Sequence, residues 1–199
     1  MELDYVGRKD ESKFRLPGQF AVYHLRPRGV DALVDLPSHP RTAALKRRLA
    51  EDENRSDRFI RHCLGLFEIY CDLNIYFGNN LRFFTKSDLT PYPSFPTPLP
   101  DAYIRLNKGS AEQQFFLEYI DTSAPTRAAI ARVEQLDEYT EDDDWTTATR
   151  TGNPITIFVV DKPSLQKKLQ RHIANELDNN HLLKVASKGE VIALIETKR

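Results

Sequence analysis

Cysteine, methionine and tryptophan are scarce in this sequence: two, one and one among 199 residues. The spacing of Cys63 and Cys71 fits neither a zinc knuckle nor a redox dithiol, so both are expected as buried small hydrophobes in a reducing compartment. With only 8 glycines there is no phosphate-cradling glycine loop, and no internal repeat at solenoid spacing is found. No apolar run is long enough to span a bilayer, and the N-terminal stretch MELDYVGRKDESK lacks the apolar centre of a signal peptide. A cytoplasmic protein without a membrane partner is expected. The formal net charge is -1, so no global positive field draws the chain to nucleic acid. Any DNA contact must come from local patches, of which Arg26/Arg28, Arg41/Lys46/Arg47/Arg48 and Lys167/Lys168/Arg171 are the candidates. Each has the competing reading of a solvated helix face or turn.

What is present is enough for a packed core. Hydrophobic residues make up 40% and charged residues 29% of the chain, a globular composition, and the length suits one main domain with a remnant of another. FRLPGQFAVYHLRPRG reads as a hairpin, with Pro17-Gly18 turning between Phe14–Leu16 and the run Phe20–Leu25, followed by a short helical stretch after Gly29. Pro37 and Pro40 mark the expected boundary, dividing the chain into 1–37 and 38–199. Arg41–Ala50 reads as a basic helix.

A longer helix is predicted from Ser56 to Phe77. Phe59, Cys63, Leu66, Tyr70, Leu73 and Phe77 recur at helical steps beside a second stripe of Ile60, Leu64, Phe67 and Cys71. A broad buried face follows, opposite a polar line of Arg61, Gly65, Glu68 and Asp72. LRFFTKS reads as a strand, and the proline-rich TPYPSFPTPLP as a stiff loop.

Beyond it the pattern is α/β. DAYIRL and QQFFLEYID read as strands paired through the turn NKGSAE. Pro125 opens a helix carrying Ile130, Val133, Leu136 and Tyr139, which EDDDW closes before a polar loop. ITIFVV is a strand covered on both faces. Asp161 or Ser164 caps a helix with Leu165, Leu169, Ile173 and Leu177 inward. LLKVAS and VIALIE read as a closing hairpin about Lys188-Gly189.

The chemistry-bearing constellation is Pro100-Asp101 at the start of one strand and Glu118 inside the next. Two carboxylates on neighbouring strands can hold a divalent cation, Mg2+ above all, that polarises a phosphodiester and activates water. Phe116, Leu117, Tyr119 and Ile120 bury Glu118's strand on both faces, where an unpartnered carboxylate would be costly. The bland readings are a turn-forming Asp101 and a solvent-facing Glu118. His62 reads as a hydrogen-bonded core residue and Glu68 as surface. His24, His39, His172 and His181 lack metal-site spacing, and Trp145 reads as closing a loop.

The carboxylate arrangement resembles the PD-(D/E)XK nuclease core. There the second acid is followed two positions later by lysine; here Ile120 stands in that place. Either Asp121, Arg127 or Arg132 substitutes, giving an active endonuclease on Asp101, Glu118 and Asp121 with Mg2+, or the site is degenerate and the domain is a binding scaffold.

The order of motifs is similar to the replication-relaxation family of plasmid and mobile-element proteins: YHLRPRGVDAL, RFIRHCLGLFEIY, LPDAYIRL, FFLEYID, VEQLDEY and PITIFVVDKPSLQKKL. The resemblance implies a restriction-endonuclease-like mixed sheet flanked by helices, preceded by a winged-helix remnant, a wing hairpin and short helix without the helices that would come before them. It also implies DNA and a replication or relaxation protein as partners. A protein–protein module that never touches nucleic acid is the third reading.

Overall fold

The computed structural model describes residues 5–8, 22–33, 42–52, 55–109, 111–142 and 144–197. The chain divides into two compact units, 1–59 and 60–199. Pro37 and Pro40, on which the expected boundary rests, and Arg41 lie outside the described residues, as does the whole Phe14–Phe20 part of the expected hairpin.

In the first unit, β1 (Val6–Arg8) pairs antiparallel with β2 (Tyr23–Leu25), Gly7 opposite His24. α1 (Pro27–Leu33) follows at once, with proline at its first position where no backbone N–H is needed. α2 (Thr42–Asp52) is the expected basic helix.

The second unit is a five-stranded mixed sheet. Its strands are β3 (Leu81–Thr85), β4 (Ala102–Lys108), β5 (Ala111–Ile120), β6 (Ile155–Val160) and β7 (Leu183–Ala186), in that spatial order. β4 runs antiparallel to both β3 and β5, whereas β5, β6 and β7 run parallel. The β4–β5 hairpin is tighter than NKGSAE suggested: pairing persists to Lys108↔Ala111, and Gly109 takes φ +64°, a conformation that an L side chain resists.

Alternation along β5 assigns its two faces. Phe115, Leu117 and Tyr119 pack with Ile69 and Leu73 of α3 (Asp57–Phe77) and with Val191 and Ile195 of α8 (Val191–Glu196). On the other face, Ile120 joins Val133 and Leu136 of α5 (Thr126–Glu141) and Leu165, Leu169 and Ile173 of α7 (Pro163–Glu176). Beside them Phe116 meets Tyr103, Phe95 and Trp145 in an aromatic cluster, with ring centroids 5.2–5.9 Å apart. Such edge-on aromatic pairs add to plain area burial.

Several expectations are corrected. VIALIE is the helix α8, not the second strand of a hairpin; β7 runs parallel to β6, and Ser187 and Glu190 form a reciprocal cap that turns the chain into a helical start. EDDDW does not lead into a plain loop, because α6 (Asp144–Thr149) follows and drives Trp145 inward. Neither Asp161 nor Ser164 caps α7; Lys162 holds the cap position without a side-chain bond. α4 (Lys86–Leu89) was not foreseen. On α3 the buried line is Gly65, Ile69 and Leu73, while Cys63, Leu64 and Phe67 are exposed. A helix on one sheet face buries a stripe of roughly 100°, so the second apolar stripe stays outside.

Candidate functional site

The two acids meet where β4 begins and β5 ends. Ala102 pairs with Leu117, so Asp101 and Glu118 follow one another at the end of that ladder. Both are buried, 4% and 7% exposed. A carboxylate in that setting is tolerated only with partners, and each has its own set.

Asp101 accepts from three donors. The backbone N–H of Tyr119 donates to Oδ2 at 2.8 Å, and Lys86 Nζ donates to Oδ1 at 2.6 Å. His62 Nε2 lies 3.1 Å from the same Oδ1. These groups arrive from different elements. Lys86 opens α4, whose start is set by Thr85 and Asp88: the Thr85 N–H and Oγ1 donate to Asp88 Oδ2 at 2.9 and 2.8 Å. His62 comes from the first turns of α3. Burial pushes the Asp101 carboxyl up, but the His62 hydrogen bond and the Lys86 and His62 charges outweigh it and hold the group below its ordinary range. The same hydrogen bond raises His62 against the opposing effect of its own burial.

Glu118 is held by one cation. Arg132 Nε donates to Oε1 at 3.0 Å, and a terminal guanidinium nitrogen donates to the same oxygen. That guanidinium also reaches Pro98 O at 2.9 Å and Gln135 Oε1 at 2.8 Å, and Gln135 Nε2 donates to Thr97 O at 2.8 Å. α5 therefore ties the proline-rich loop down over the acid pair. Burial first, and the negative Asp101 second, push Glu118 up to about 7 despite Arg132.

Tyr119, next after Glu118 in sequence, points to the opposite face. Its hydroxyl donates to Asp161 Oδ2, and Lys188 Nζ sits 4.8 Å from its ring centroid while pairing with Glu68 at 2.8 Å. The ring fits because α3 carries glycine beneath it: a Cβ on Gly65 would lie 2.2 Å from Tyr119 Cε1. Gly65→Ala is expected to destabilise the protein by about 1–3 kcal/mol through overpacking, although alanine is the better helix former. Chemical denaturation would measure it, and a Tyr119→Ala background should abolish the penalty. An undiminished penalty there would disprove the clash.

The remaining predicted site residues stand elsewhere. Asp121 Oδ1 accepts from the Ser123 N–H at 2.7 Å and the Ser123 hydroxyl at 2.5 Å, forming a turn after β5. Arg127 is exposed on α5. Arg26, Arg28, Lys46, Arg47 and Arg48 belong to the first unit; Lys46 pairs with Asp31, and Arg47 lies 3.8 Å from Glu51, so this patch is partly neutralised. Lys167, Lys168 and Arg171 form an exposed basic face on α7, away from its buried Leu165, Leu169 and Ile173.

Sequence reasoning passed over Lys86 and set His62 among the core residues. Thr85-x-x-Asp88 is the signal that could have placed Lys86 at a helix start. Nothing local to His62 announces a partner far along the chain.

The donor set does not suit Mg2+. That ion needs oxygen ligands in near-octahedral array, whereas Asp101 faces an ammonium and an imidazole and Glu118 a guanidinium. Among the described residues no group of three or more His, Cys, Asp or Glu side chains is placed to hold a metal ion. No helix among them is long and apolar enough to cross a membrane.

Comparisons with curated proteins and with solved structures gave no match. The family model for replication-relaxation proteins matches residues 1–154. That span includes Asp101, Glu118, His62, Lys86 and Arg132, while β6 and β7 continue the same sheet beyond it. With more than three quarters of its length matched, this chain belongs to the replication-relaxation family.

Proposed function

We propose that this protein is a DNA-associated accessory factor of plasmid or mobile-element replication and mobilisation, in which the paired-carboxylate site is structural rather than a cleavage centre. Family membership supports the setting in replication. The observation that carries the non-cleaving reading is the engagement of both acids by the protein's own basic side chains, Lys86 and His62 on Asp101 and Arg132 on Glu118. A phosphodiester hydrolase of the paired-acid kind needs those carboxylates for metal and water. Here they tie α3, α4 and α5 to the sheet instead. The domain then serves as a rigid support for DNA or for a replication or relaxation partner. Lys167, Lys168 and Arg171 are the surface best suited to a phosphate backbone, since they are exposed with no acidic partner among the described residues.

Two measurements test this reading. Duplex binding should weaken steeply with salt, and replacing Lys167, Lys168 and Arg171 by alanine should flatten the log–log slope by about one per residue removed. A flat salt response in the wild type would remove DNA from the proposal. Incubation of supercoiled plasmid with Mg2+ or Mn2+ should give no nicking above an Asp101→Ala control. Nicking that depends on Asp101 would establish the endonuclease reading, which the adjacency of two buried acids favours.

A further inference from the structure

α3 is apolar on two sides, and only one of them touches the sheet. Its sheet side carries Gly65, Ile69 and Leu73. About half a turn around the helix lie Ile60, Leu64, Phe67, Cys71 and Ile75, at steps of four, three, four and four, the spacing of a helix–helix seam. Leu64 is 37%, Phe67 58% and Ile75 84% exposed. An aligned apolar row of this size on an outer helix face is a place for a partner.

We infer that this face packs against the same face of a second copy of the chain, the two α3 helices running antiparallel. The charges beside the seam select that occupant and that direction. Arg61 lies toward the N-terminal end of the helix, exposed and with no acidic partner among the described residues, and Glu68 follows two turns later on the same flank. Glu68 takes Lys188 at 2.8 Å through Oε2, and its side chain remains 65% exposed. An antiparallel pairing stacks Leu64 on the second copy's Phe67 and Ile60 on its Cys71. That same register sets each Arg61 beside the other copy's Glu68, so two-fold symmetry yields two identical ion pairs. A parallel pairing would set Arg61 level with Arg61 and Glu68 level with Glu68, gaining no pair.

Sedimentation equilibrium on the full chain is the test. The wild type should dimerise at micromolar concentration. Phe67→Glu, which changes an exposed side chain and leaves the core intact, should weaken association roughly 30-fold or more. The charge variants decide the direction independently of that substitution. Arg61→Glu alone and Glu68→Arg alone each place like charges across the seam and should be monomeric. An equimolar mixture of the two restores both pairs and should dimerise. A wild type that stays monomeric at high concentration, a Phe67→Glu protein that dimerises like the wild type, or a mixture no more associated than its components would each overturn the inference.

Discussion

Replacing Arg132 by methionine is expected to cost about 3–5 kcal/mol of folding stability at mildly alkaline pH and clearly less at mildly acidic pH. The reason is the environment of Glu118, 7% exposed inside an apolar strand, whose Oε1 receives two bonds from Arg132. Without the guanidinium, the carboxylate must stay charged and unpaired or take up a proton. Its folded pKa, already about 7 with Arg132 in place, then rises further.

The sign of the pH dependence follows. Between its ordinary value of 4.5 and the raised folded value, Glu118 is protonated in the folded state and ionised in the unfolded one, so stability falls as pH rises through that window. Acidification removes the charge and with it most of the penalty. His62, whose folded pKa is also raised, contributes in the same direction, its stabilisation being present below 6.5 and lost as pH rises through the folded value. Glu118→Gln isolates the carboxyl: in that background the wild-type decline with pH should flatten, and the Arg132→Met penalty should lose its pH dependence. Denaturant titrations at several pH values would measure all of these. A penalty equal at acidic and alkaline pH would refute the account.

Asp101→Ala should be nearly as damaging, at about 2–4 kcal/mol, because one substitution strips the acceptor from a buried Tyr119 N–H, from Lys86 and from His62. Asp101→Asn keeps an acceptor for the Tyr119 N–H and should cost less. The sharper readout is spectroscopic. In either variant His62 loses the bond that raises it and keeps the burial and the Lys86 charge that lower it, with only the lesser Asp121 charge still raising it, so its pKa should fall. Glu118 should fall as well, since the negative Asp101 is the second-largest influence raising it. NMR titration of the His62 ring protons would follow the first shift. An unmoved His62 would mean that Asp101 does not organise this cluster.

Much of the sheet is legible in the sequence. The alternation around Phe115–Ile120, the apolar run Ile155–Val160 and the Asp101–Glu118 adjacency all follow from a period-two pattern with one hairpin between them. Leu165, Leu169 and Ile173 likewise declared the inward line of α7. Misreadings fell where a short apolar segment suits either a strand or a helix. VIALIE has no period long enough to choose, and the Ser187–Glu190 cap decided for helix. On α3 the pattern predicts one broad buried face built from both apolar stripes, with Gly65 on the polar side, whereas the buried line is Gly65, Ile69 and Leu73. Gly65 turns inward because only a residue without a side chain admits the Tyr119 ring.

What the sequence by itself determined is the strands β3 to β7, the long helices α3, α5 and α7, and that Glu118 must sit in an apolar strand, for these depend on neighbours a few residues apart. The sequence offers Arg132 among three candidates for the site, but which basic side chains answer the two acids was decided by tertiary structure. Lys86 and His62 reach Asp101 from α4 and α3, and Arg132 reaches Glu118 from α5. Burying a carboxylate demands compensation within hydrogen-bond reach, and reach is a property of the packed elements rather than of spacing along the chain.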